Sequence, residues 1–457
     1  MSRFQKFKHQ TRDAIHRGFD RHIRLAVTGL SGAGKTALIT GILEQMLYAN
    51  ETQQLPYFKV KQQQRLNGCR LHTSSNWQVS RFDYEGAINC LTGDTPKWPQ
   101  STRDVSEIRV EVKYQPRSGL AGRVLDTRRL TLDLIDYPGE WLLDLPLLQL
   151  NYDEWSQQQQ RLLNAELRHK LASEWLEKVN SMANEASEDN AEQQLRELAA
   201  DYRAFLRQCR SRKLLLLQPG RMVLPGELEG APVLEFFPWP LSRPVPDVWA
   251  KRLQEKYRYY QQHVITPFYQ KYFKYFNRQV VLVDVLQALQ NGEHHFAELQ
   301  LAINELMKSF SYGNNSLLKR LFSPVIDKVA LVATKADSIA PQDHQKLTNL
   351  LRLMTQKQRQ ELQFDQIPHQ VFSVAGIATS QIKKLSDGTT VIDGINEQRE
   401  FVRVGAPEMP DAIPTGADWR RGYVYPQFYP GFTVQDSPLP HIRLDQLLEY
   451  VLGDKLK

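Results

Sequence analysis

At 457 residues the chain can hold two or three domains and a core that needs no disulfide or metal staple. A net charge of +7, from 58 Lys and Arg against 51 Asp and Glu, excludes a dedicated polycation but leaves room for phosphate ligands or an acidic surface. Cys69, Cys90 and Cys209 are too scattered for a disulfide framework or a CxxC metal site, and no apolar run reaches membrane length or forms a secretory h-region, so a soluble cytoplasmic protein is expected.

Residues 1–20 intersperse Phe4, Phe7, Ala14, Ile15 and Phe19 with basic residues. This predicts a cationic amphipathic helix packed on its own domain, with a peripheral contact to the inner membrane or a membrane protein as the alternative. A short apolar strand follows from His22 to Val27 and ends in a Gly-rich turn. Glu107–Tyr114 and Leu130–Ile135 alternate at period two and predict an antiparallel pair beside that strand.

The character changes over 141–278, which reads as a mostly helical insertion between 21–140 and 279–385. Thr266-Pro267 predicts a fresh helix start within it, with Thr as N-cap and Pro in the first turn. Strands are expected at Val280–Val285, Val329–Ala333 and His369–Val374. Residues 386–440, with seven prolines from Pro407 to Pro440, form a Pro-rich loop and hairpin extension, and 441–457 close the chain with a helix over Leu444–Val451.

Gly29-Leu30-Ser31-Gly32-Ala33-Gly34-Lys35-Thr36 fits GxxxxGK[ST] without mismatch, with a strand before it and a helical pattern from Ala37 after it. Glycines at 29, 32 and 34 let the loop amides, those of Ser31, Ala33 and Ala37 included, converge on phosphate oxygens without Cβ obstruction. Lys35 would reach the β- and γ-phosphates, and the Thr36 hydroxyl would ligate Mg²⁺.

Asp136-Tyr137-Pro138-Gly139 ends the LTLDLI strand. Asp136 is suited to the Mg²⁺ shell, and the Gly139 N–H to a γ-phosphate. Thr334-Lys335-Ala336-Asp337 follows another strand: the Asp337 carboxylate offers acceptors to guanine N1–H and N2–H, where adenine has no matching donor pair, and the Lys335 stem can cover a base face. Ser373-Val374-Ala375 ends the next strand, its N–H groups expected at guanine O6. Each of these pieces stands at a strand C-terminus, where an open α/β sheet binds ligands.

That succession resembles the Ras-like GTPase module, with Thr334 where Asn is more usual. It implies an α/β fold, a mostly parallel sheet with helices on both faces. The GLSGAGKT loop, WPQSTRDVSEIR in the first switch, DYPGEW in the second and the long insertion before TKAD are similar to the YcjX family of bacterial stress-linked P-loop proteins over nearly the whole length. The resemblance implies a cytoplasmic GTP-binding protein connected to envelope or heat stress. Thr102 is the best-placed first-switch Thr for Mg²⁺ and γ-phosphate, with Thr95 and Ser101 as lesser candidates and Arg103 as a solvent-facing residue or a cis arginine finger. Glu140 holds the place of a water-orienting Gln; a carboxylate cannot donate the bond that Gln can, so either hydrolysis is slow or another group places the water.

The nine aromatics of Tyr257–Phe276 read as packing rather than base stacking, because Tyr257, Val264, Phe268, Tyr272 and Tyr275 fall on one helical stripe. His294-His295 reads as a surface pair, and Pro238-Trp239-Pro240 as a stiff loop. The functional expectation is a Mg²⁺-dependent GTPase switch that binds GTP and GDP and meets a protein effector through the helical insertion, with no nucleic acid. A P-loop ATPase or kinase, and a non-hydrolysing nucleotide-binding scaffold, are the alternatives.

Overall fold

The computed structural model describes residues 21–51, 53–72, 79–100, 102–117, 127–309, 326–431 and 438–457. The helix expected over 1–20 and the candidate Ser101 lie outside the described residues. The described residues fall into two compact units, one within Met1–Tyr137, Phe276–Gly292 and Val325–Lys457, the other within Pro138–Tyr275 and Glu293–Pro324. Among the described residues, no helix is long and apolar enough to cross a membrane.

The first unit is built on strands β1 (His22–Gly29), β2 (Leu66–His72), β3 (Ser80–Arg81), β4 (Ser106–Tyr114), β5 (Arg128–Asp136), β6 (Arg278–Val283), β7 (Lys328–Ala333) and β8 (His369–Ser373). Seven of them lie in the order β2-β4-β5-β1-β6-β7-β8, and β3 pairs beside β4. From β5 to β8 all neighbours are parallel; β4 runs antiparallel to β5, and β2 to β4. β1 therefore has a parallel partner on each side and is buried on both faces, which is why LAVTG reads as a continuous apolar run rather than an alternation. Helix α1 (Lys35–Leu47) covers one face, and Ile39, Ile42 and Leu43 join Leu25, Leu134 and Val332 in one core. The mostly parallel sheet with its helices is the expected α/β architecture.

Several boundaries differ from the expectation, among them those of β6 and of the Pro-rich extension. β6 starts at Arg278, and Asp284 has already left it, because its side chain accepts from Gln287 N at 3.0 Å and caps the next helical turn. The Pro-rich extension opens earlier than 386, with an antiparallel sheet of β9 (Ser380–Lys384), β10 (Thr390–Ile395) and β11 (Phe401–Gly405). The fully buried Asp393 ties these strands, accepting Arg403 at 2.7 and 2.8 Å with Lys383 at 3.1 Å.

The second unit begins with a 3-10 segment, Gly139–Gln149, buried over its first nine residues. Around it lie helices α2 (Tyr152–Leu163), α3 (Glu166–Asn184), α4 (Ala191–Ser211), α5 (Asp247–Tyr260) and α6 (Thr266–Tyr272). Aromatic rings fill the core: Trp155 stacks on Tyr257 at 5.0 Å, and Trp175 on Phe205 at 5.9 Å. The sequence expectation of a new helix at Thr266 is corrected here. Thr266 has helical φ/ψ, and a π-helical stretch at Gln261–Ile265 carries the chain through without a break. Pro267 has no N–H to give to the preceding turn, and the widened stretch absorbs that missing donor.

The sequence reading kept 279–385 together with the sheet; the structure instead puts helix α7 (Glu293–Ser309) in the second unit. The reason is its apolar face: Phe296, Leu299, Ala302, Ile303 and Leu306 are buried, and the helix packs on Gly139–Gln149. Glu298 adds a buried ion pair with Arg168 and accepts from Leu215 N and Leu216 N at 3.0 and 2.9 Å.

Candidate nucleotide-binding site

β1 ends at Gly29 and the chain turns into α1 through Gly32 (φ +77°) and Gly34 (φ +87°). Both lie in the left-handed region that an L side chain rarely adopts, so the turn depends on glycine there. Gly34 is the N-cap of α1 and offers no side chain, which leaves the first-turn amides without a side-chain acceptor. Lys35 is buried, and its ammonium donates to the Gly29 carbonyl at 2.9 Å.

Three polar groups from three separate elements converge beside this turn. The Thr102 hydroxyl donates to Asp136 Oδ2 at 2.6 Å, the Thr36 hydroxyl donates to the same oxygen at 3.3 Å, and the two hydroxyls stand 3.3 Å apart. The other oxygen, Asp136 Oδ1, is buried and makes no hydrogen bond among the described residues. Burial raises the Asp136 carboxyl above its ordinary range, against the pull of the Lys35 charge and the two hydroxyls. A buried carboxylate oxygen without a donor is a costly arrangement unless a cation completes it. The residues thus fit a hard cation such as Mg²⁺, which takes oxygen ligands and completes its shell from phosphates and water.

Thr95 stands elsewhere. With Asp94, Pro96, Ile395 and Arg399 it lines an open cavity of about 510 Å³ beside the β9–β11 sheet. Arg103 is exposed, as expected.

On the base-reading side, Thr334 N–H donates to Val283 O at 3.0 Å, and Lys335 takes a left-handed φ of +61°. Asp337 is buried, and its Oδ2 accepts from Thr379 N at 2.9 Å and Thr379 Oγ1 at 3.2 Å. Burial raises this carboxyl, while the Thr379 bonds and Lys335 oppose the rise. The expectation for Ser373-Val374-Ala375 needs correction. Val374 N–H continues the strand pairing to Ala333 O at 2.9 Å, and Ala375 N–H bridges to Ile442 O at 3.1 Å. The Ser373 hydroxyl accepts from Arg443 at 3.2 Å. Those two backbone donors are thus engaged within the protein.

Gly139 and Glu140 open the 3-10 segment of the second unit. Glu140 is buried there, its carboxylate 2.9 Å from the Arg210 guanidinium, so its charge is balanced inside that unit.

The model of the YcjX-like family, DUF463, matches residues 23–456. The chain belongs to this family. It is 38% identical over 469 residues to a protein of Escherichia coli (strain K12) named Ras-like GTPase YcjX, covering 99% of this chain and 100% of that one. It is 35% identical over 480 residues to a Shewanella oneidensis protein of the same name, covering 99% of this chain and 98% of the relative.

Against this family background, the structure adds residues that the motifs did not point to. Thr379 fixes the Asp337 carboxylate, and Asp284 meets Lys335, with Nζ and Oδ2 2.5 Å apart. Neither lies inside a motif, and the sequence reading ran Asp284 into the strand Val280–Val285.

Proposed function

We propose that the protein binds GTP and GDP with Mg²⁺ and hydrolyses GTP slowly, working as a nucleotide-driven switch. The observation that carries the reading is the convergence of the Thr36 and Thr102 hydroxyls on the Asp136 carboxylate, whose second oxygen is orphaned, next to the glycine turn and Lys35. In this reading Thr36, Thr102 and Asp136 hold the Mg²⁺ shell, directly or through water. When bound, the cation neutralises charge on the β- and γ-phosphates. The loop amides of 29–37 and the first turn of α1 receive the phosphates, and Lys35 leaves the Gly29 carbonyl for a phosphate oxygen. Asp337, oriented by Thr379, accepts from guanine N1–H and N2–H, and Lys335 covers the base. The names of the two relatives, Ras-like GTPase, support a GTPase-type nucleotide-binding protein.

Slow hydrolysis follows from Glu140. A carboxylate engaged with Arg210 has no N–H with which to orient a water, and the first-switch Thr102 and Gly139 N–H remain to bind the γ-phosphate. The stress connection belongs to what the family resemblance implies, and a membrane contact to the alternative reading of residues 1–20. The test is a titration of the purified chain with GTP, GDP and ATP, with Mg²⁺ and with EDTA, followed by single-turnover hydrolysis. GTP binding that weakens in EDTA, with little ATP binding, supports the reading. Equal affinity for ATP and GTP overturns the base assignment.

A further inference from the structure

Asp284 directly follows β6 and caps the short helix Val285–Gln290, and it is 9% exposed. Its two oxygens do different work. Oδ1 accepts from Gln287 N at 3.0 Å and caps the helix; Oδ2 lies 2.5 Å from Lys335 Nζ. The TKAD turn is anchored at the same point, because Thr334 N–H donates to Val283 O at 3.0 Å. Gln287, in the first turn of the capped helix, comes within 3.9 Å of the place a Cβ on Gly32 would take. One carboxylate thus stands between the flank of the phosphate turn and the lysine of the base-reading motif.

We infer that Asp284 is a positioning residue for guanine nucleotide binding, acting through Lys335. The inference rests on the nucleotide reading above and deepens it. A lysine stem has four rotatable bonds and covers a base only when its ammonium is pinned. Asp337, two residues further on, is the competing partner: were Lys335 to pair with it, a carboxylate oxygen that guanine needs would be occupied. Asp284 holds the ammonium elsewhere, so the stem stays extended and the Asp337 carboxylate stays open to the base. This contact concerns the base alone and is therefore indifferent to the γ-phosphate.

The test uses the full chain and fluorescent GDP and GTP analogues in Mg²⁺. Asp284→Asn keeps the Oδ1 cap and removes the charge that holds Lys335. The expected result is a 5- to 20-fold weaker affinity, equal for GDP and GTP, with the unfolding midpoint of the nucleotide-free protein unchanged. Lys335→Ala should weaken binding to a similar degree. The double variant should be no weaker than Lys335→Ala alone, because Asp284 acts through that side chain. Additive losses, or a loss confined to GTP, overturn the inference, and so does wild-type affinity in Asp284→Asn. Absence of guanine nucleotide binding in the wild type would instead overturn the nucleotide reading itself.

Discussion

The backbone of α1 at Gly41 touches the backbone of the loop after β8 at Gly376: a Cβ on Gly41 would lie 2.1 Å from the Gly376 carbonyl oxygen. The approach is mutual, since a Cβ on Gly376 would stand 2.8 Å from the Leu38 Cα. The helix that begins at the phosphate turn therefore rests directly on the loop that leads from Ser373 to Thr379, the residue holding Asp337. Phosphate and base ends of the candidate site share one backbone contact.

Gly41→Ala tests that contact. By helix propensity alone Ala should stabilise α1 by about 1 kcal/mol. The close approach predicts the opposite sign, a destabilisation of about 1–3 kcal/mol from overpacking, because the neighbour is backbone and cannot rotate away. Denaturant unfolding gives the sign, and a nucleotide titration should show weaker GTP binding through the displaced 374–379 loop. A stabilised variant with unchanged affinity would contradict the contact.

Much of this arrangement was legible in the sequence, for identifiable reasons. The Gly29–Thr36 turn, the Asp136 strand end and the Thr334–Asp337 turn are local patterns whose backbone demands appear in the residues themselves. The antiparallel pair of β4 and β5 was legible from its period-two alternation. What escaped was non-local. Thr379 reaches Asp337 only because β8 and β7 are neighbours, and the engagement of Val374 and Ala375 depends on Ala333 and Ile442. The return of α7 to the second unit was hidden because an apolar helical face does not say which core it joins.

The phosphate and metal groups give a second prediction. Lys35→Ala should cost about 2–4 kcal/mol in GTP affinity or hydrolysis, since a phosphate charge is left without its partner. Thr102→Ala and Asp136→Asn should act through the cation: each should raise the Mg²⁺ concentration needed for half-maximal GTP binding while leaving affinity in EDTA nearly unchanged. Titrations across Mg²⁺ concentrations separate the two effects. Equal losses with and without Mg²⁺ would remove these residues from the metal shell.

Base specificity gives a third. With Asp337→Asn the side-chain amide would face N1–H and N2–H with a donor of its own, so GTP should weaken by tenfold or more. Xanthosine triphosphate, which presents an acceptor at that edge, should improve. Thr379→Ala should weaken GTP without that reversal, because it loosens the Asp337 carboxylate rather than changing its chemistry. Competition binding with the two nucleotides checks both outcomes.

Two buried carboxyls, Asp133 in the first unit and Asp144 in the second, should respond to pH in opposite directions. In the first, burial would raise Asp133, but the Arg109 fork at 2.6 and 2.8 Å and His22 at 2.8 Å outweigh it and hold the carboxyl at about 2. Its folded value is below its unfolded one, so its stabilisation is present above pH ~4 and lost as pH falls toward 2. In the second, burial pushes Asp144 up to about 6 despite bonds from Tyr260, Gly220 and Arg221. Here the folded value is the higher one, so stability falls as pH rises from ~4 to ~6, by about 3 kcal/mol at most. As pH rises through this window the wild type should lose unfolding midpoint relative to Asp144→Asn, and the two should run parallel below it. Parallel curves throughout would place the Asp144 carboxyl in its ordinary range.

The last prediction concerns the switch. The boundary between the units falls between Tyr137 and Pro138, inside the DYPG turn. On the sheet side the Tyr137 hydroxyl is fixed in a buried hydrogen bond with Thr28 at 2.6 Å, and Gln279 donates to the same Thr28 oxygen at 3.2 Å. On the other side Gly139 begins a 3-10 segment that is the core of the second unit, and a Cβ on Gly220 would lie 1.9 Å from the Glu140 carbonyl. Tyr137 and Gly139 are joined by Pro138 alone, so a nucleotide-dependent shift in the DYPG turn would reach the 3-10 segment through the chain itself. Order in 92–106 and 137–145 should depend on the γ-phosphate, and the second unit should feel it through chain continuity. Hydrogen exchange with a non-hydrolysable GTP analogue against GDP should show rising protection in both loops and altered exchange in 139–149 and around Gly220. Tyr137→Phe removes the sheet-side pin and should shrink the change at 139–149 while leaving nucleotide affinity within about threefold. Loops that respond beside an unchanging 139–149 would keep the switch but move the effector surface away from the second unit.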